Sequence, residues 1–167
     1  MTVEVRPART CDVTDIRRLV DLYAPDGILL NKPTVTLYED VQEFLVAAAA
    51  DGAIVGCGAL HVMWEDLAEV RTLAVDPAVK GAGVGHLLLE RLLERARTLG
   101  VRRLFCLTFE VDFFSRHGFR EIDGIPVKHD VYDELLRSYD EGVAEFLALE
   151  RVKPNILGNT RMVLELP

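Results

Sequence analysis

Lys80-Gly81-Ala82-Gly83-Val84-Gly85 sets three glycines at alternate positions between two segments of different period. Before it, Ala68 to Val75 has the composition of a strand, stopped by Asp76-Pro77. After it, Leu88, Leu89, Leu92, Leu93 and Ala96 fall on one side of a helix that ends near Gly100. Glycines at the entry of a helix let backbone amides converge without obstruction by Cβ atoms, so the turn is a ready anion cradle. A P-loop needs Lys-Ser or Lys-Thr after its last glycine, and here His86-Leu87 follow Gly85. A dinucleotide fingerprint needs its third glycine three places after the second, where His86 stands. The turn therefore predicts an α/β unit that holds an anion by backbone, and excludes the two commonest nucleotide loops.

The rest of the chain continues in that style. Val3 to Val5 predicts a strand. Thr10 or Asp12 can cap a helix whose apolar positions are Ile16, Leu19, Val20 and Tyr23. Pro25-Asp26-Gly27 ends it, and an extended stretch leads to a second helix expected from Thr36 to Ala49. Ala53 to Met63 and Ala68 to Val75 read as two strands paired through a turn at Trp64-Glu65-Asp66. Val101 to Thr108 is a further strand, Asp112 to His117 a short helix, and Gly118 to Ile122 the start of another strand. Asp130 to Leu149 has helical spacing, and Met162 to Leu166 reads as a closing strand. One domain spanning residues 1–167 is expected.

Charge and composition remove several classes of function. With 27 acidic and 19 basic side chains the formal charge is −8, the wrong sign for a nucleic-acid binder. An anionic ligand then needs local cations or aligned amides, because the average field repels it. No stretch reaches the ~20 apolar residues of a membrane span, and the start lacks a signal-peptide core. No membrane association is expected, and the cytoplasm is the expected compartment. Cys11, Cys57 and Cys106 are odd in number and widely separated, which fits buried thiols. His61, His86, His117 and His129 follow no metal spacing, so no metal is expected.

Three motifs in one order resemble the GNAT acetyltransferases. Lys80, Gly83 and Gly85 occupy the slots of that family's pyrophosphate loop, with Lys in place of the usual Arg or Gln. Glu69 to Pro77 is similar to the strand whose edge, here Leu73, Ala74 and Val75, bonds the pantetheine arm. Phe113-Phe114-Ser115-Arg116-His117-Gly118-Phe119 resembles the family's aromatic pair and Gly-Phe ending. The resemblance implies a GNAT acyl-CoA N-acyltransferase fold, a mixed and mostly antiparallel sheet flanked by helices, opening between the strands that end near Val75 and Thr108. It implies acetyl-CoA as cosubstrate, bound by Leu73, Ala74, Val75, the turn Lys80, Gly81, Ala82, Gly83, Val84, Gly85, then His86, and Phe114. It also implies Glu69 as the general base. Period-two alternation puts Glu69, Arg71 and Leu73 on one side of their strand unless a bulge intervenes. Many relatives have a tyrosine acid where Phe114 stands, and phenylalanine cannot donate a proton. Water is the expected alternative.

Further segments resemble the N-acetylglutamate synthases, in particular their short, stand-alone actinobacterial form: Leu29-Leu30-Asn31-Lys32, Ala68-Glu69 with Thr72, Lys153 to Gly158, and Asn159-Thr160-Arg161-Met162-Val163-Leu164. That likeness implies L-glutamate as acceptor, with Leu30, Lys32, Arg71, Thr72, Asn159, Thr160 and Arg161 on the substrate side. It also suggests a homodimer. Glutamine could compete for the same pocket. The alternatives are transfer to another small amine or a protein N-terminus, and a non-catalytic CoA-binding sensor.

Overall fold

The structure is a computed structural model, and residues 1–29, 31–149 and 158–167 are described. Leu30 and Lys153 to Leu157 lie outside the described residues. The strands are β1 (Val3–Pro7), β2 (Phe44–Ala49), β3 (Ile54–Trp64), β4 (Leu67–Val75), β5 (Arg103–Thr108), β6 (Arg120–Glu121) and β7 (Thr160–Glu165). The helices are α1 (Val13–Asp21), α2 (Thr34–Glu39), α3 (Val84–Leu99), α4 (Val111–Ser115), α5 (His129–Leu135) and α6 (Glu141–Phe146). The seven strands form a mixed, mostly antiparallel sheet in the order β1-β2-β3-β4-β5-β7-β6, with β4 and β5 as a parallel pair. That pairing runs from Leu67↔Arg103 to Glu69↔Phe105, at the N-terminal end of both strands.

The chain divides into two compact units, Met1–His61 with Val70–Leu99, and Val62–Glu69 with Gly100–Pro167. In the first, α1 lays Val13, Ile16, Leu19 and Val20 against Phe44 and Val46 of β2 and Cys57 and Ala59 of β3. Asp12 closes the entrance to α1: its carboxylate accepts two bonds from Arg6, at 2.8 and 3.0 Å, and one from the Arg9 amide at 2.7 Å. On β3, a Cβ added at Gly56 would lie 2.9 Å from Leu88 Cδ1 and 3.1 Å from Val84 Cγ1. One added at Gly58 would lie 2.9 Å from Leu73 Cδ1 and 3.0 Å from Leu92 Cδ1. The two glycines let α3 lie close on the strand, which fixes where the start of α3 is presented. The second unit packs Met63, Leu67 and Phe105 against Val131, Leu135, Val143, Phe146 and Leu147, with the Phe105 and Phe146 rings edge to face at 4.8 Å.

Three expectations are corrected. The helix expected over Thr36 to Ala49 is α2, a 3-10 turn at Val41–Glu43, and then β2. Phe44-Leu45-Val46-Ala47 is a short apolar run buried on both faces, which periodicity cannot assign, and its alanines favour helix. Pairing with β1 and β3 overrides that preference. The helical stretch Asp130 to Leu149 is two helices. Ser138 Oγ accepts the Asp140 amide at 3.1 Å, and Asp140 Oδ1 accepts the Val143 amide at 2.9 Å, so a new N-cap starts at Asp140. Cys57 and Cys106 are buried but Cys11 is exposed, because it sits in the 3-10 turn ahead of α1, outside the helix's apolar stripe.

Candidate active site

The glycine turn takes the form that its sequence requires. Gly81 and Gly83 have φ of 87° and 82°, a region that glycine enters without penalty. The helical ladder of α3 opens with Leu87 N donating to Gly83 O at 3.0 Å, so the amides of Val84 and Gly85 precede the first helical bond. Lys80, Gly81, Ala82 and Gly83 are exposed, Val84 is buried, and Gly85 and His86 are half-buried. A Cβ at Gly81 or Gly83 would meet nothing within 4 Å, so the turn opens onto room for a ligand. Amides that precede the first bond of a helix suit a pyrophosphate, and an acidic chain needs such a device.

The approach to this turn is tied down by residues that pattern reading missed. Asp76 Oδ1 accepts the Ala78 amide at 3.0 Å, and Oδ2 accepts Arg18 Nη1 at 2.8 Å. Those two bonds hold the Asp76 carboxyl below its ordinary value. Arg18 also donates to Ile54 O at 2.7 Å, and the Tyr23 hydroxyl donates to Val75 O. Their common signal is weak, polar tips at the borders of an amphipathic helix stripe.

On β4, Glu69 and Arg71 are buried, at 5% and 8% exposure, as is Ala74; Thr72, Leu73 and Val75 are half-buried. Thr72 has φ 55°, a genuine outlier for a β-branched residue. Simple alternation therefore breaks at that residue, as the bulge expectation allowed. Its carbonyl accepts the Cys57 thiol at 3.5 Å.

In the second unit Glu69 pairs with Phe105, and Leu107 pairs with Arg161. Phe105 and Leu107 are two apart on β5, so Glu69, Phe105 and Arg161 share one face of the sheet. The Arg161 guanidinium stands 4.9 Å from the centre of the Phe105 ring and 5.9 Å from that of Phe146. It donates to the carbonyls of Gly124 at 3.0 Å, Glu145 at 3.5 Å, and Phe146. Burial lowers its pKa, and the Glu69 charge opposes that shift. Asn159 and Thr160 are half-buried beside it in sequence.

Two other expected positions lie inward, which is unusual for the lysine and ordinary for the phenylalanine. Lys32 is 8% exposed, with Nζ 3.9 Å from Asp40 and its carbonyl accepting from Arg17. Phe114 is 6% exposed in α4, edge to face with Phe113 and Phe119 at 5.1 Å each. Its ring is part of the packing, and it has no hydroxyl. His61, given no role from sequence, has Nδ1 2.7 Å from Glu43 Oε1. No group of three or more His, Cys, Asp or Glu side chains able to hold a metal occurs among the described residues.

The model of the acetyltransferase (GNAT) family matches residues 15–119. An amino-acid acetyltransferase of Mycobacterium tuberculosis is 62% identical over 164 residues, 97% of this chain and 94% of that one. A crystal structure from the same organism, in complex with CoA and a second ligand, superposes with a TM-score of 0.96 at 61% identity, covering 98% and 99% of the two chains. N-acetylglutamate synthase from Neisseria gonorrhoeae, complexed with coenzyme A and N-acetyl-glutamate, gives 0.79 at 25% identity; all of this chain matches 36% of that one. With a glycine turn, a strand and an aromatic pair in the family's order and a family match over more than half its length, the chain belongs to the GNAT acetyltransferases.

Proposed function

We propose that the protein transfers acetyl from acetyl-CoA to the α-amino group of L-glutamate. The observation that carries this reading is the buried carboxylate of Glu69, at 5% exposure, on the strand that continues into Leu73, Ala74 and Val75. A carboxylate held inside on that strand is an oriented proton acceptor rather than a solvated surface charge. Its task is to take a proton from the acceptor's ammonium, a service typically contributing about 10²–10⁴-fold. The neutral amine then attacks the thioester carbonyl, a C–N bond forms and the C–S bond breaks, the nitrogen sheds its second proton to water, and CoA leaves as a thiolate. Phe114 cannot return the proton, so water supplies it. The turn Lys80 to Gly85 binds the pyrophosphate through backbone amides.

The acceptor reading is supported by the relatives' names and by Lys32, a buried cation in an acidic chain, with Arg71, Thr72, Asn159 and Thr160 as further polar contacts for the acceptor. Glutamine is the second reading. Three Arg161 nitrogens serve backbone carbonyls, so Arg161 offers no dedicated partner to a second carboxylate, and a neutral carboxamide needs none. Free-thiol release from acetyl-CoA, measured against a panel of amino acids, tests both. Release that depends on glutamate supports the proposal, and preference for glutamine selects the second reading. Release with neither, but with an unrelated amine, overturns both.

A further inference from the structure

We infer that Arg161 is a positioning residue, which ties off the end of α6 and holds a fixed positive charge on the Glu69 face of β5, and does not itself ligate the acceptor. This rests on the reading of Glu69 as the base.

The end of α6 explains the first half. Ala148 has φ 55°; its amide donates to Glu145 O at 3.0 Å and the Leu149 amide donates to Ala144 O at 3.0 Å. This is a Schellman closure with alanine where glycine is usual. It satisfies the carbonyls of Ala144 and Glu145 but leaves that of Phe146 to find a donor elsewhere. Arg161 provides it, while also reaching Glu145 O and Gly124 O. A cation is favourable at a helix C-terminus, where the macrodipole is negative. Lysine has no planar fork to span three carbonyls at once, so the residue type matters.

The second half follows from the shared face. Phe105 pairs with Glu69 and stacks under Arg161, so the guanidinium is held over a ring adjoining the base. The side chain is fixed from both sides, by carbonyls of α6 and Gly124 and by two aromatic rings. Glu69 acts electrostatically on Arg161 of β7, whose charge it favours, and on the Cys106 thiol of β5, whose ionisation it opposes. A cation held there favours the ionised carboxylate.

The test compares wild type, Arg161→Lys and Arg161→Gln by the pH profile of kcat/KM, the acceptor KM and the melting temperature. Arg161→Gln is expected to melt lower and to move the acid limb up by a few tenths to about one unit. Arg161→Lys should also melt lower, yet keep the limb and an acceptor KM within about threefold of wild type. An unmoved limb in folded Arg161→Gln reduces Arg161 to architecture and overturns the inference. A KM raised about tenfold or more in Arg161→Lys at unchanged kcat makes it a ligand and also overturns it. Should Arg161→Gln not fold, the KM of Arg161→Lys decides alone. Glu69→Gln is the control: if it keeps the acid limb, the base assignment fails, whatever Arg161 does to KM and stability.

Discussion

The two compact units offer different chemistry. The first presents backbone: glycines at φ 87° and 82°, amides at the start of α3, and a strand edge from Leu73 to Val75. The second presents a pair of opposite charges, the buried Glu69 and the half-buried Arg161, on one face of the sheet with Phe105 between strand and guanidinium; the buried cations Lys32 and Arg71 belong to the first. Backbone recognition asks only for conformation, so it tolerates changes of side chain and fails when φ or space is denied. Charge recognition is indifferent to small changes of shape and fails when a single atom is replaced.

The largest effect that can break this contrast comes from Glu69→Gln, nearly isosteric and uncharged. It should lower kcat by about 10²–10⁴-fold while CoA affinity, read by calorimetry, stays as in wild type. Equal damage to CoA affinity would mean that the division of labour is wrong. Next is Gly83→Glu, which forces a side chain to φ 82° and brings negative charge to the amides. CoA affinity should fall by about tenfold or more, and unchanged affinity would remove the turn from the binding site. The smallest effect concerns the two non-glycine residues at φ 55° among the described residues, Thr72 in the first unit and Ala148 in the second. Ala148 is held by the two bonds of the Schellman closure, so glycine there should raise stability by about 1 kcal/mol in thermal melts. Thr72→Gly should relieve similar strain but cost activity, if the outlier on β4 holds that strand's backbone in place for the cofactor. A stabilised, fully active Thr72→Gly would make the two positions equivalent.

Local chemistry was legible in the sequence and distant chemistry was not. The glycine turn, the β3–β4 hairpin and the stripe of α3 each depend on neighbours a few places away, so spacing alone located them. Phe44 to Ala49 became a strand only because β1 and β3 flank it. Glu69 could be singled out by its place before Leu73 to Val75, and the structure buries it. The carbonyl contacts of Arg161 could not be read, because Glu145 and Phe146 lie 15 or more positions earlier and offer main-chain atoms that no side-chain pattern advertises. Gly56 and Gly58 were visible as alternate glycines in a strand, but the closeness of α3 that needs them was not.

Sulfur has one more consequence. Burial pushes the Cys57 thiol up to about 12, and burial together with the Glu69 charge pushes Cys106 well above its ordinary value. Neither carries appreciable thiolate at neutral pH, and the thiolate is the form that attacks thioesters and disulfides. An enzyme that handles an activated acetyl group thus keeps its interior sulfur from being acetylated by its own donor. Only Cys11 faces solvent, so in the folded protein it is the one cysteine that a colorimetric thiol reagent should count as background.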